Sequence, residues 1–189
     1  MLPKKDGQMV KASPITISKL DAARRQLETA VTLYFHEGDP VSIHALTRAA
    51  YQVLYDINDG QPMIEDWIKV YIKPEYVKQI TDKLRKAQNF FKHADRDPDA
   101  ILPFEPQITP IHLLVACLTY NRIAPEPSPH LTIFQHWAVI TWAKTYFIYP
   151  GLDLTDPDIA LLASMSRQEF LAHCSHSNSS DAVIHVEPR

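Results

Sequence analysis

Residues 84–99, LRKAQNFFKHADRDPD, concentrate the side chains that could do chemistry on another molecule. Arg85, Asn89 and His93 recur every four residues, so on a helix they form a polar stripe along one face. An imidazole titrates near neutral pH and can transfer a proton, whereas a planar guanidinium binds an anionic phosphate through two parallel hydrogen bonds. One hypothesis is therefore that the stripe binds the phosphate of a nucleotide or of RNA.

The same residue types also suit a purely structural role at the end of a helix. Asn89 and His93 can cap the last turn and bond its free carbonyl groups, and the helix dipole favours positive charge there, including that of Lys92. The direction of two neighbours distinguishes the roles. Arg85 and Gln88 turned into an open groove would favour a binding site, whereas pairing with the aspartates that follow would favour a structural role.

Three aspartates at alternate positions, Asp95, Asp97 and Asp99, follow the stripe with the ligand spacing of a calcium loop. Ala100 stands where such a loop has glycine, and Pro106 stands where it has a bidentate glutamate. Aspartate and proline are also favoured in solvated turns. We interpret the aspartates as turn residues, and we expect neither a metal ion nor another cofactor.

A further cluster, His173, Cys174 and His176, has no second ligand pair at the spacing of a structural zinc site. We interpret it as part of a C-terminal tail. Four other histidines in or near predicted helices are expected to be packed or capping residues. They are His36, His44, His112 and His136.

The composition limits the classes of protein to which the chain can belong. With 189 residues, 46% of them hydrophobic and 22% charged, it can form one soluble domain with a substantial core. A net charge of −3 excludes a strongly basic protein, and with it a role in DNA packaging. Because no apolar run follows the first lysines, we expect no secretory signal and a cytoplasmic location. Cys117 and Cys174 belong to no CxxC motif and are expected to be reduced thiols.

Apolar residues at helical spacing predict an all-α fold, a single-domain bundle of five to seven helices over residues 18–173. We expect residues 1–17 to form a flexible leader and residues 174–189 a flexible tail. Helix starts are predicted where a polar cap precedes proline or where a capping box stands, and Gly38 is predicted to end the first helix. The predicted helices cover residues 18–35, 40–57, 74–93, 109–120, 129–146, 157 onward and 166–173, with a short helix or an extended segment at 63–72.

The most apolar segment, residues 131–152, is interrupted by Gln135, His136 and Lys144, which predicts a core helix and no membrane span. Its aromatic residues fall on more than one helical face, so part of the set is expected to cover a subunit interface or to line an apolar pocket. Twofold dimers are the commonest assembly, and we expect a homodimer. The aromatic set comprises Phe134, Trp137, Trp142, Tyr146, Phe147 and Tyr149.

Three stretches, LDAARRQLETAVTLYF, DPVSIHALTRAAYQVLYDI and QNFFKHADRDPD, resemble an uncharacterised bacterial family of helical proteins over about the first two thirds of the chain. Within the last stretch, QNFFKH is similar to the RNxxxH signature of HEPN proteins, because Asn89 and His93 match it and Gln88 stands at the arginine position. The resemblance implies an HEPN-like bundle, a homodimer, and metal-independent cleavage of RNA at the dimer cleft. It also implies that His93 handles the proton of the 2′-hydroxyl while a cation holds the phosphate.

The departure at Gln88 bears on catalysis more than on the fold, because glutamine donates a hydrogen bond but carries no charge. Arg85 lies on the stripe and could supply the charge, although seven residues separate it from His93, where the signature has fewer. The candidate catalytic residues are Arg85, Asn89 and His93, and the candidate phosphate-binding residues are Gln88, Lys92 and Arg96. The alternative function is that of a non-catalytic, homodimeric binding or scaffold protein.

Overall fold

Seven α-helices and one 3-10 turn make up the fold in the computed structural model, which describes residues 13–58, 72–92, 98–142, 153 and 155–176. In chain order the helices are α1 (Lys19–Phe35), α2 (Pro40–Ile57), α3 (Pro74–Lys92), α4 (Thr109–Ile123), α5 (Pro129–Trp142), α6 (Pro157–Ser164) and α7 (Arg167–His176). The predicted all-α, single-domain helical bundle is confirmed. Residues 174–176 of the predicted tail belong to α7. Outside the described residues lie residues 1–12 of the predicted leader, residues 177–189 of the predicted tail, and residues 63–71 of the segment predicted as a short helix or extended.

Local side-chain caps start the helices where the sequence predicts them. Ser18 accepts a hydrogen bond from a first-turn backbone N–H of α1 at 3.0 Å. Asp39 caps α2 ahead of Pro40, whose fixed φ suits the first helical position. At α7 the Ser166 hydroxyl accepts from the backbone N–H of Glu169 at 3.3 Å, and the Glu169 carboxylate accepts from that of Ser166 at 2.8 Å. The predicted capping box is therefore present.

The end of α1 differs from the prediction by one residue. The positive φ that turns the chain out of the helix falls on Glu37, at 55°, and not on Gly38. Gly38 donates its N–H to the carbonyl of Leu33 at 2.7 Å, and Glu37 donates to that of Tyr34 at 3.2 Å, which is the Schellman pattern. Glycine suits position 38 for another reason, because a Cβ there would lie 3.1 Å from both the Cδ2 and the carbonyl oxygen of Leu33.

Two other boundaries also differ from the sequence pattern. A 3-10 turn at Pro106–Ile108 precedes α4, and Thr109 already has helical dihedrals, with φ −58° and ψ −45°. Its hydroxyl therefore does not cap the helix and is available to another element. Helix α7 continues to His176, beyond its predicted end near His173, because no glycine or proline stands there to end it.

Helix α4 is the central element of the bundle. It packs against α1, α2 and α5, and eleven of its fifteen residues are buried. Such a helix has little exposed surface, and its burial on nearly every side supplies much of the apolar contact that stabilises the fold.

The aromatic residues of α5 pack in the core. Phe134 and Trp137 lie against Tyr34 and Phe35 of α1, with ring centroids 5.2 to 6.1 Å apart. The core-helix prediction therefore holds for residues 131–142. In the part of the chain that the structure describes, no helix has both the length and the apolar character needed to cross a bilayer. The other members of the set, Tyr146, Phe147 and Tyr149, lie outside the described residues.

Candidate functional site

The predicted stripe lies at the C-terminal end of α3. The backbone is helical over Pro74–Lys92, so Arg85 and Asn89 are one turn apart on the same face. Asn89 is exposed, whereas Leu84 and Ala87 are buried. The predicted division of this helix into a polar face and a packed face is therefore present at these three positions.

The other predicted site residues cannot all be placed beside Asn89. His93 and Arg96 lie outside the described residues. The side chains of Arg85, Gln88 and Lys92 also lie outside the description, although their backbone belongs to α3. The assignment of catalytic and phosphate-binding roles to these residues stays a prediction.

Two contacts hold the C-terminal half of α3 to the rest of the bundle. The half-buried ring of Phe91 packs edge-on against the ring of His44 on α2, with centroids 5.5 Å apart, and Phe104 lies 5.5 Å from both rings. About two turns earlier, Lys83 forms an ion pair with Glu105 in the segment before α4. The end of α3 is thus set against α2 and against the segment that leads into α4.

His44 belongs to a buried polar cluster between α2 and α4. Its ring lies 5.4 Å from that of His112 in the first turn of α4, and both imidazoles are essentially inaccessible to solvent. The Nδ1 atom of His44 lies 3.3 Å from the hydroxyl of Thr109, the first residue of α4. The Nε2 atom of His44 and both ring nitrogens of His112 have no hydrogen-bond partner in the part of the chain that the structure describes. Buried polar atoms without a partner are costly, so this arrangement calls for a physical explanation.

Arg48 lies one turn after His44 on α2 and completes the cluster. Its guanidinium is 5.4 Å from the ring centroid of Tyr51, which is also 5.7 Å from the ring of His112. Within the described ranges, the Nε atom of Arg48 is buried without a partner, and Nη2 donates to the side-chain oxygen of Gln52 at 3.5 Å. Among the described residues, no carboxylate forms an ion pair with Arg48.

The charges of the cluster follow from its burial. Burial lowers the pKa of His44 to about 4, with the nearby Arg48 as the second cause. Burial also lowers the pKa of His112 well below its ordinary value, with contributions from His44 and Arg48. Both imidazoles are therefore neutral at pH 7. Burial lowers the pKa of Arg48 as well, but a guanidinium starts so high that it keeps its charge.

The sequence predicted that His44 and His112 are packed, and their burial agrees with that prediction. The sequence did not indicate that the two rings are in contact, or that Arg48 lies beside them with no acidic partner among the described residues. One signal was available, because His44 and Arg48 are four residues apart on α2 and share a face, as Arg85 and Asn89 do on α3. The approach of His112 depends on tertiary packing, which no local pattern shows.

Potential metal ligands do not gather in the described ranges. No group of three or more histidine, cysteine, aspartate or glutamate side chains there could hold a metal ion. Of the three predicted turn aspartates, Asp99 is exposed, and Asp95 and Asp97 lie outside the described residues. Cys117 is buried and Cys174 is partly buried, and both are free thiols whose pKa is raised by burial.

An open groove between α1 and α5, with a volume of about 640 Å³, is a second candidate surface. The charged side chains of Arg25 and Glu28 that line it are already paired with neighbouring residues. Arg25 pairs with Asp21, and Glu28 accepts hydrogen bonds from Arg24 and from the hydroxyl of Ser128. The groove therefore offers fewer polar groups without a partner than the buried cluster between α2 and α4. It is lined by Arg25, Glu28, Thr29, Thr32, Leu33 and His130.

Comparison with models of protein families, with curated proteins and with solved structures finds no match to this chain. The residues at the end of α3 and between α2 and α4 are therefore the basis on which a function can be proposed.

Proposed function

We propose that this protein binds the phosphate of RNA or of a nucleotide at the C-terminal end of α3, through a degenerate HEPN-type site. The observation that carries the proposal is the exposure of Asn89 on a helix whose opposite face, at Leu84 and Ala87, is buried. Arg85 precedes Asn89 by one turn of the same helix, so the backbone places an arginine and an asparagine at positions of one helical face.

The residues of the site have distinct roles in this proposal. Asn89 donates a hydrogen bond from its amide to a phosphate oxygen. Arg85, Lys92 and Arg96 supply positive charge, with Gln88 as an uncharged donor. His93 handles the proton of the ribose 2′-hydroxyl if the bound RNA is cleaved, in a reaction that needs no metal ion. Gln88 lacks the charge of the arginine in the signature. Phosphate binding is therefore a better test of this site than RNA cleavage.

We propose further that the protein acts as a homodimer in the cytoplasm. The support is the resemblance to HEPN proteins, in which the site lies between two subunits. Light scattering coupled to gel filtration tests this part, and we expect twice the 21.6 kDa mass of one chain. A single-chain mass at micromolar concentration would remove the dimer from the proposal.

The alternative is a non-catalytic binding or scaffold protein, in which the polar residues of α3 hold only the segment that follows. One described contact is of this kind. Lys83 pairs with Glu105, so that this cation of α3 serves the fold. The alternative predicts that removal of polar groups from the end of α3 changes stability and leaves RNA binding unaffected.

RNA binding by matched variants tests the proposal. Asn89→Asp adds a negative charge at the predicted stripe, and Gln79→Glu adds the same charge at another exposed position of α3. In fluorescence anisotropy with a labelled single-stranded RNA at low salt, we expect Asn89→Asp to weaken binding about tenfold or more. Gln79→Glu should change it less than about twofold. Equal losses in the two variants, or no binding by the wild type, would contradict the proposal.

Cleavage is measured separately. The same RNA is incubated with the protein in EDTA and resolved on a gel, for the wild type and for His93→Ala. Cleavage that survives EDTA and is lost in His93→Ala would support a metal-independent endoribonuclease. Binding without cleavage would leave the phosphate-binding proposal in place and assign the protein to the non-enzymatic class.

A further inference from the structure

The guanidinium of Arg48 is a half-buried cation that forms no ion pair with any residue the structure describes. Its described contacts are a long hydrogen bond to Gln52 and the face of the Tyr51 ring, and neither neutralises its charge. Its Nε–H is buried and has no acceptor in the described ranges of the chain. Charged groups at buried positions are normally paired, because removal from water is costly unless an opposite charge compensates. Among the described residues, Arg48 therefore has no anionic acceptor.

Among the described residues, His112 beside Arg48 lacks an acceptor as well. A neutral imidazole keeps one N–H, so His112 must hold one unpartnered donor whichever tautomer it adopts. With the Nε–H of Arg48, the cluster has at least two buried N–H groups that bond nothing in the described part of the chain. The described neighbours on the other elements are Phe91 of α3 and the ring of Phe104, which accept no hydrogen bond of ordinary strength.

The start of α4 also favours an anion at this position. Helix α4 has no side-chain cap, since Ile108 stands at the cap position. His112 lies in its first turn, and Thr109 at its first position contacts His44. The N-terminal end of a helix carries partial positive charge and favours anions. The fully buried imidazole of His112, which has no hydrogen-bond partner among the described residues, is an independent observation at this end of α4.

We propose that Arg48 binds a phosphate-type oxyanion at the junction of α2 and α4, with His44 and His112 beneath it as positioning residues. A tetrahedral oxyanion accepts several hydrogen bonds at once and pairs with a guanidinium through two of its oxygens. Arg48 is partly exposed and forms the accessible contact, whereas the two imidazoles are enclosed. Because Phe91 joins this cluster to the end of α3, the inference deepens the proposed function by adding a second phosphate contact to that site.

Inorganic phosphate is the probe for the first experiment, with the full chain and without RNA. Phosphate replaces chloride at constant ionic strength, and affinity is measured by titration calorimetry and by the rise in melting temperature. We expect Arg48→Gln to lose about tenfold or more in phosphate affinity and Arg48→Lys to lose less, since lysine keeps the charge without the fork. The matched control is Arg122→Gln, which removes an exposed arginine of α4 and should bind phosphate as the wild type does.

A measurement on the wild-type protein covers the case in which an Arg48 variant does not fold. Phenylglyoxal modifies accessible guanidinium groups, and mass spectrometry reads the extent at each arginine. Phosphate should protect Arg48 and leave Arg122 unprotected. Equal modification of Arg48 with and without phosphate, or a melting shift no larger than that of chloride, would overturn the inference.

The positioning role of the histidines has its own readout. Sulfate keeps its charge between about pH 7 and pH 5, so its affinity reports the protein groups alone. A bound oxyanion favours protonated imidazole, and the titratable or charged groups at the cluster are His44, Arg48 and Tyr51 of α2 and His112 of α4. We expect sulfate affinity to rise as the pH falls, and to rise less in His112→Leu. An identical pH profile in that variant would exclude the positioning role.

The experiments distinguish failure of this inference from failure of the proposed function. The inference is tested with inorganic phosphate on Arg48 variants, whereas the proposed function is tested with RNA on Asn89 variants. Phosphate binding that needs Arg48, without any RNA binding, would sustain the inference and reject the proposed function. RNA binding that needs Asn89, without phosphate binding at Arg48, would support the proposed function and reject the inference.

Discussion

The ring of Phe91 on α3 packs edge-on against the ring of His44 on α2, with centroids 5.5 Å apart and an interplanar angle of 61°. Phe91 is two residues from Asn89 in the predicted stripe, and His44 is one turn from Arg48 in the buried cluster. This contact is therefore the direct physical connection between the site that the sequence predicts and the cluster that only the structure indicates.

Removal of the Phe91 ring should loosen the end of α3. We expect Phe91→Ala to lower the free energy of unfolding by about 2 kcal/mol, since the ring is half-buried and full truncation of a core phenylalanine costs about 3 to 5 kcal/mol. Urea denaturation followed by circular dichroism measures the change. Lys86→Ala, at an exposed position of the same helix, is the control and should shift stability by less than about 0.5 kcal/mol.

The histidine pair makes the fold sensitive to acid. Histidine in the unfolded chain titrates near pH 6.5, whereas the folded pKa of His44 is about 4. Between these values the unfolded state binds a proton that the folded state does not, so the free energy of unfolding falls as the pH falls. Across the window the loss for His44 is about 3 kcal/mol, and His112 acts in the same direction. Urea midpoints that stay constant from about pH 7 to about pH 4.5 would contradict this.

Replacement of His112 by an apolar side chain should stabilise the protein. His112→Leu removes two unpartnered nitrogens at similar volume, and we expect a gain of about 1 kcal/mol at pH 7 and a larger gain in acid. Thermal and urea denaturation at both pH values measure it. His130→Leu, which changes an exposed histidine, is the control and should give no such pH-dependent gain.

The strained end of α1 offers a second stabilising change. Glu37 holds a φ of 55°, a conformation that glycine adopts without the steric cost that other residues bear. Glu37→Gly is expected to raise the free energy of unfolding by about 1 kcal/mol. Glu37→Ala removes the same carboxylate and keeps the Cβ, so it should give no gain, and a gain from both substitutions would show that backbone strain is not the cause.

Helix α7 is held to the core through Arg167. Its guanidinium lies 4.2 Å from the ring centroid of Tyr34 and donates to the Tyr34 carbonyl at 3.3 Å. We expect Arg167→Ala to cost about 1 to 2 kcal/mol of stability. Arg122→Ala should cost almost nothing, because that side chain is exposed. Hydrogen exchange provides the local measurement, with faster exchange expected in α7 for the first variant alone.

The helix positions could be predicted from the sequence because their signals are local. The caps at Ser18 and Asp39, and the capping box at Ser166, act within one turn of chain and stand where expected. The left-handed position at Glu37 could not be assigned, because the hydrogen bonds to Leu33 and Tyr34 that define it compete with the usual preference for glycine.

The candidate site was predictable only in part. The exposure of Asn89 opposite Leu84 follows from helical periodicity alone. The meeting of His44 with His112 does not, because it depends on how α2 and α4 pack, and an isolated histidine in an apolar helix indicates burial without indicating its neighbours.

The enclosure of α4 by α1, α2 and α5 makes the centre of the molecule more resistant to local opening than the C-terminal end of α3. Amide hydrogens in α4 should exchange only through complete unfolding, whereas those in the last turn of α3 need only local opening. A protein arranged in this way can open the last turn of α3 many times during the lifetime of one folded molecule.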